Sequence, residues 1–205
     1  MNPRLAFALA LIVGCTLAAV IGVSVAARSG DGGSAGSDGL QLVNGWAGAT
    51  RPAGIPPADF ALRDQDGRPA SLEAYRGRPV ILTFLYSTCE DTCPTQVQTI
   101  RGALDDLGAD VPLLAVSVDP AGDTPQRARR FVLEQRMTGR MRFLLGDRAE
   151  LARVWKRYAI APQRDELEHS AYVLLIDAQG RQRIAFPFGA LTSEGLAHDL
   201  RRLGA

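Results

Sequence analysis

The sequence predicts an α/β domain, a central mixed sheet flanked by helices, standing behind an N-terminal transmembrane helix. Residues 79–86 form a short apolar run that includes Phe84 and Tyr86 and ends at a pair of thiols and a helix start, the pattern of a buried strand feeding a helix. A second buried strand at 111–118 follows that helix, and the order strand, helix, strand implies parallel pairing through a right-handed crossover. Leu5 to Ala27 is an apolar run of 23 residues without a charge, and at about 1.5 Å per helical residue it covers the roughly 30 Å hydrocarbon core of a bilayer.

In chain order, residues 1–27 read as an uncleaved membrane anchor. A cleaved signal peptide is the main rival, because Val25-Ala26-Ala27 resembles a small-residue cleavage site, although the apolar core exceeds the roughly 7–15 residues usual there. Third comes a lipoprotein site at Ile12-Val13-Gly14-Cys15, disfavoured because more apolar chain follows where a polar tether is expected; in the anchor reading Cys15 is a membrane-facing bystander. Arg4 and Arg28 flank the run almost symmetrically and barely decide its orientation. Residues 28–56, opening with Gly and Ser, form a flexible linker, and the folded domain is expected over 57–205.

Within that domain, Phe60 to Leu62, Asp66-Gly67 and Pro69 to Leu72 read as a hairpin with the Asp-Gly pair in its turn. After the 79–86 strand, Pro94 suits the first helical position, and Val97, Ile100, Leu104 and Leu107 recur at helical spacing until Gly108. Asp123-Thr124-Pro125 supplies a cap and a helix start. Residues 140–145 form a short strand, and Leu151, Val154, Trp155 and Tyr158 make one apolar helix face. A polar loop at 161–168 leads to His169, then to strands at 171–176 and 183–186 turning at Ala178-Gln179-Gly180, and to a last helix with Leu196, Leu200 and Leu203 inward. This is a thioredoxin-like order of elements.

The chain has 205 residues, room for one domain of about 150 behind the leader. A net charge of +1 with basic residues spread along the chain argues against nucleic acid as a partner. Lys156 is the only lysine among 23 basic residues, which leaves almost no candidate for lysine-based covalent catalysis. Cys89 and Cys93 are the chemistry-bearing pair. Four-residue spacing points both sulfurs to one place, and amides at a helix N-terminus favour the thiolate, the form that attacks disulfides and binds metals.

Cys89-x3-Cys93-Pro94 after a strand, Ser117-Val-Asp119-Pro120-x2-Asp123-Thr124-Pro125, and His169-Ser170 leading into a strand that ends Ile176-Asp177-x2-Gly180 together resemble the Sco/SenC family of copper-binding cytochrome c oxidase assembly proteins. The similarity covers roughly residues 59–203. It implies a membrane-anchored copper chaperone whose ligands are Cys89, Cys93 and His169, and which assists assembly of the dinuclear copper (CuA) site. The copper-receiving subunit of cytochrome c oxidase is then the partner. The cargo is copper, as Cu(I) and Cu(II), and the location a single-pass inner-membrane protein with its C-terminal domain in the periplasm or extracytoplasmic space. Glu90 and Glu168 stand where the family often has proline and aspartate, and neither change removes a ligand. The loop before His169 is short for the family.

Chemistry independent of the name agrees. Soft thiolates select Cu(I) and an imidazole makes the site acceptable to Cu(II). The alternative function is an extracytoplasmic thiol-disulfide oxidoreductase that reduces the cysteines of a copper-receiving partner. Against it stand a three-residue spacer and the absence of proline immediately before the Ala171 strand. A peroxiredoxin-type peroxidase fails on its motif, since Tyr86 and Leu82 occupy the required positions. A structural disulfide between Cys89 and Cys93 would close too short a loop to stabilise much. His169 alone would read as a hydrogen-bonded structural histidine, His198 as solvated, and Arg127, Arg129 and Arg130 as a solvated helix face. Met137 and Met141 read as a loop and a strand start rather than thioether ligands, and Asp119 as either a support of the metal site or a turn former.

Overall fold

The computed structural model describes residues 40–160 and 172–205. The apolar run at 5–27 and the 161–168 loop with His169 lie outside them. Among the described residues no helix is long and apolar enough to cross a membrane.

Among the described residues, eight strands form one mixed sheet: β1 (Ala49–Thr50), β2 (Ala61–Asp64), β3 (Pro69–Ser71), β4 (Val80–Leu85), β5 (Leu113–Ser117), β6 (Met141–Leu145), β7 (Tyr172–Ile176) and β8 (Gln182–Pro187). Their spatial order is β1-β8-β7-β4-β5-β6-β2-β3. β4, β5 and β6 run parallel, and the other neighbours are antiparallel. The helices are α1 (Thr92–Leu107), α2 (Pro125–Glu134), α3 (Arg148–Tyr158) and α4 (Ser193–Arg202). Both parallel crossovers step in one direction along the sheet, so right-handedness puts α1 and α2 on one face. There Val97, Ile100, Phe131 and Val132 share an apolar core with Leu196 and Leu200 of α4. On the opposite face, Leu151, Val154, Trp155 and Tyr158 of α3 pack with Phe60, Leu62, Leu82 and Phe84.

Local chemistry sets the element ends. Gly67 N–H closes the hairpin turn on Asp64 C=O at 2.9 Å, and the Asp64 carboxylate accepts from the amides of Asp66 and Arg68. Gly108 ends α1 in the left-handed region, where a side chain would be strained. Thr124 caps α2 with Pro125 behind it, and Asp147 with Glu150 forms a reciprocal capping box on α3. β4 is buried at all six positions because it lies between β7 and β5 with helices on both faces.

The start of the fold differs from the expectation. β1, placed by sequence in the linker, pairs with β8 through Ala49 and Ala185, well before Pro57. A glycine- and proline-rich stretch reads as linker because its anchoring is tertiary. Asp199 of α4, fully buried, accepts from Ala47 and Gly48 amides at 2.9 Å each, and the Arg202 guanidinium lies 4.6 Å from the Trp46 ring centre. Gly48 has no room for a side chain, since a Cβ there would sit 2.4 Å from Ile184 Cγ2. His198, expected to be solvated, keeps about a third of its side chain exposed and places Nδ1 2.8 Å from Asp199 Oδ1.

Replacing Asp199 by Ala orphans two backbone donors and should cost about 1–3 kcal/mol. Denaturant unfolding, with hydrogen exchange of the Ala47 and Gly48 amides, reads this. Unchanged exchange would show that the N-terminal strap is held by other contacts.

Candidate metal centre

β4 ends at Leu85, a loop covers 86–91, and α1 begins at Thr92. The helix therefore starts two residues before the expected Pro94 and takes Cys93 into its first turn. Proline is tolerated there because the first N–H groups of a helix have no partner within it. Asp91 stands at the cap position, yet its side chain makes no capping bond. The Cys93 amide donates instead to Cys89 Sγ at 3.2 Å, and Thr92 Oγ1 lies 3.6 Å from the same sulfur. The sulfur of Cys89 thus occupies the acceptor's place at the start of α1. The two cysteines are not bridged, and both are buried, Cys89 to 7% exposure and Cys93 to 2%.

This arrangement splits the two thiols. The Cys93 side chain, donating to Cys89, brings the Cys89 thiol down to about 4; burial opposes this, while the Cys93 amide, the Thr92 hydroxyl and the Asp91 backbone reinforce it. Cys93 is pushed up, first because its proton is held by Cys89 and second by burial. Burial, followed by the charge of Cys89 and a hydrogen bond to it, raises the Tyr86 hydroxyl to about 12, so Tyr86 remains a neutral donor beside the sulfurs.

The thiol loop is braced by Asp123, which the sequence placed only in a helix cap. Asp123, buried, accepts from the Ser87 amide at 2.6 Å and from the hydroxyls of Ser87 and Ser117. One carboxylate therefore ties the C-terminal ends of β4 and β5 together. Burial drives its pKa up, against those three hydrogen bonds. Asp119 acts as a turn former, accepting from Gly122 N–H at 3.0 Å. Trp155 donates its indole N–H to Ser117 C=O at 2.9 Å from the other face.

Cys89, Ser87, Thr88, Glu90 and Pro94 line a groove of about 460 Å³ against Arg127, Arg130 and Phe131 of α2, so Cys89 is the sulfur that meets it. A larger hollow of about 560 Å³ beside the β2–β3 hairpin contains neither thiol. Arg130 pairs with Glu134 across one exposed helical turn, whereas Arg129 reaches Gln65 C=O and fastens α2 to the hairpin. Met137 and Met141 are buried in the α1-side core. Among the described residues no group of three or more His, Cys, Asp or Glu side chains converges on a metal position. The third expected ligand, His169, lies outside the described residues. Two converging sulfurs suit a soft cation, and deprotonated thiols are what metal binding requires.

The SCO1/SenC family profile matches residues 49–205. The chain belongs to the SCO1/SenC family. It is 30% identical over 145 residues to bovine mitochondrial Protein SCO2 homolog, covering 64% of this chain and 54% of that one. The yeast protein SCO2, also mitochondrial, is 30% identical over 137 residues, covering 60% and 44%. This Sco-family chain therefore spans about half the length of those curated relatives. Among solved structures, copper-bound ScoI from Bradyrhizobium japonicum is 31% identical, with a TM-score of 0.61, covering 72% of this chain and 98% of that one. BsSco, described as a member of the Sco family of cytochrome c oxidase assembly proteins and as having a disulfide switch, has a TM-score of 0.64 at 21% identity. It covers 76% of this chain and 96% of that one and supports the fold alone.

Alkylation of the reduced full chain should modify Cys89 first, at a rate nearly constant above about pH 6, because its thiolate is already formed there. Mass mapping over pH 4–9 checks this. A Cys89 rate that climbs with a midpoint near the ordinary thiol value of 9.0 would contradict the helix-start geometry.

Proposed function

We propose that this chain carries one copper ion on Cys89, Cys93 and His169 and assists copper-site (CuA) assembly in cytochrome c oxidase. The copper-receiving subunit is its partner, and the 1–27 segment holds it to the inner membrane with the domain outside the cytoplasm. The observation that carries this is the buried Cys89 sulfur, which accepts the Cys93 amide at 3.2 Å in the first turn of α1 with the buried Cys93 side chain next to it. Membership of the SCO1/SenC family, with the copper-bound ScoI structure at 31% identity, supports the cargo, and the oxidase destination is what the motif resemblance implies.

Copper here is cargo. Two thiolates satisfy Cu(I) nearly linearly, and an imidazole adds the nitrogen donor that Cu(II) prefers. Cys93 must give up its proton for the pair to bind, so loading should release protons and weaken as pH falls.

A second function shares the same atoms. With Cys89 as thiolate and Cys93 as thiol, Cys89 can attack a partner's disulfide, releasing one partner thiolate and forming a mixed disulfide. Cys93, losing its proton to solvent, then displaces the second partner sulfur. The partner gains two electrons as a dithiol, and this chain ends with a Cys89–Cys93 disulfide.

Anaerobic titration of the detergent-solubilised full chain separates the readings. Wild type should take up close to one copper, Cys89→Ser and Cys93→Ser should each lose tight binding, and His169→Ala should lose far more affinity for Cu(II) than for Cu(I). A wild type that retains no copper but reduces a partner disulfide stoichiometrically would favour the oxidoreductase. For the anchor, N-terminal sequencing of the mature protein should find residues 1–27 attached and the protein in the membrane fraction. A mature terminus at Arg28 would show a cleaved signal instead.

A further inference from the structure

β4 reads Val-Ile-Leu-Thr-Phe-Leu, and Thr83 is its one polar side chain, with no exposed surface at all. Strand alternation turns Ile81, Thr83 and Leu85 to one side, and Ile81 and Leu85 belong to the α1-side core. From α1 a second polar side chain enters the same core, Gln96, 1% exposed and three residues beyond Cys93 on the buried face. Apolar side chains would fill this space without the desolvation that an amide and a hydroxyl incur. The hydrogen bonds account for the choice. Gln96 Nε2 donates to Thr83 Oγ1, and the Thr83 hydroxyl donates to Tyr172 C=O at 3.1 Å. Tyr172 is the first residue of β7, whose register on β4 sets Thr83 opposite Val173. Two directional bonds therefore run from the second turn of α1, through the central strand, to the first carbonyl of β7. Apolar packing resists separation of these elements but only weakly resists sliding or rotation, whereas hydrogen bonds fix both.

We propose that Gln96 and Thr83 are positioning residues for the metal centre. They hold the first turn of α1, and with it Cys93, in one setting against the start of β7, three residues after His169 in the chain. This rests on the copper reading above. Neither side chain touches the metal; the pair acts through the elements that carry the ligands. Partners that orient metal ligands from behind typically change affinity by about 10–100-fold when removed.

The test compares the full chain with Thr83→Val, Gln96→Leu, the double variant and Thr83→Ser. Thr83→Val should destabilise, because it leaves the buried Gln96 amide without its acceptor, while the double variant, with both polar partners replaced by apolar groups of similar shape, should recover most of that loss. If the pair served stability alone, the double variant would bind copper like wild type. The positioning role requires instead that it bind Cu(II) at least about tenfold more weakly, with Cu(I) within about threefold and the Cu(II)-thiolate visible band shifted. Thr83→Ser keeps the hydroxyl, loses only a methyl, and should retain wild-type Cu(II) binding. Wild-type Cu(II) affinity and spectrum in a folded double variant would overturn the proposal. So would weak Cu(II) binding in Thr83→Ser, which would make the effect one of packing. A wild type that takes up no copper would sink the copper reading by itself. Positioning is then judged on the Cys89–Cys93 disulfide equilibrium with glutathione, where the double variant should differ by at least about tenfold and an unchanged constant overturns it.

Discussion

The hydrogen bond from the Cys93 amide to the Cys89 sulfur is the contact on which the chemistry of this domain depends. A helix start presents N–H groups that need acceptors, and Asp91 at the cap position does not provide one through its side chain. A thiolate can, and the partial positive charge of the helix end favours its ionised form. The helix start and the reactive sulfur therefore stabilise one another. The second thiol donating to the first lowers the Cys89 thiol and raises that of Cys93, which favours Cys89 as the ionised sulfur.

The surrounding fold keeps that contact in register. β4 delivers the chain to the thiol loop from the centre of the sheet, buried on both faces, and the carboxylate of Asp123 binds the loop to the end of β5. Gln96 and Thr83 continue the polar bracing inward to β7. Thr83 and Gln96 are buried among apolar core residues. Their desolvation cost is offset only by the hydrogen bonds they make, which ties their presence to geometry rather than to core volume.

Much of this was legible in the sequence, because the strands and helices are set by periodicity and by local caps. The run at 79–86, the Asp-Gly turn, the Thr124 cap and the apolar stripe from Leu151 to Tyr158 each form the expected element. Cys89 and Cys93 meet at the start of α1 as their spacing required. What was not legible depends on partners distant in sequence. The strap at Ala47 and Gly48 reads as linker because Asp199 lies about 150 residues away. Asp123 reads as part of a cap because the Ser87 that it holds lies 36 residues before it. Thr83 and Gln96 carry a weak signal, a lone polar residue inside an apolar strand and another on an apolar helix face, which becomes meaningful only once the two are seen to touch.

X-ray absorption at the copper edge tests the central claim most directly, because it reads the donor atoms themselves in the copper-loaded full chain. The account predicts two sulfur scatterers in both oxidation states, with an imidazole nitrogen contribution that is strongest for Cu(II). A first shell of nitrogen and oxygen alone, or one that keeps two sulfurs after Cys89→Ser, would contradict the assignment of the metal to the start of α1.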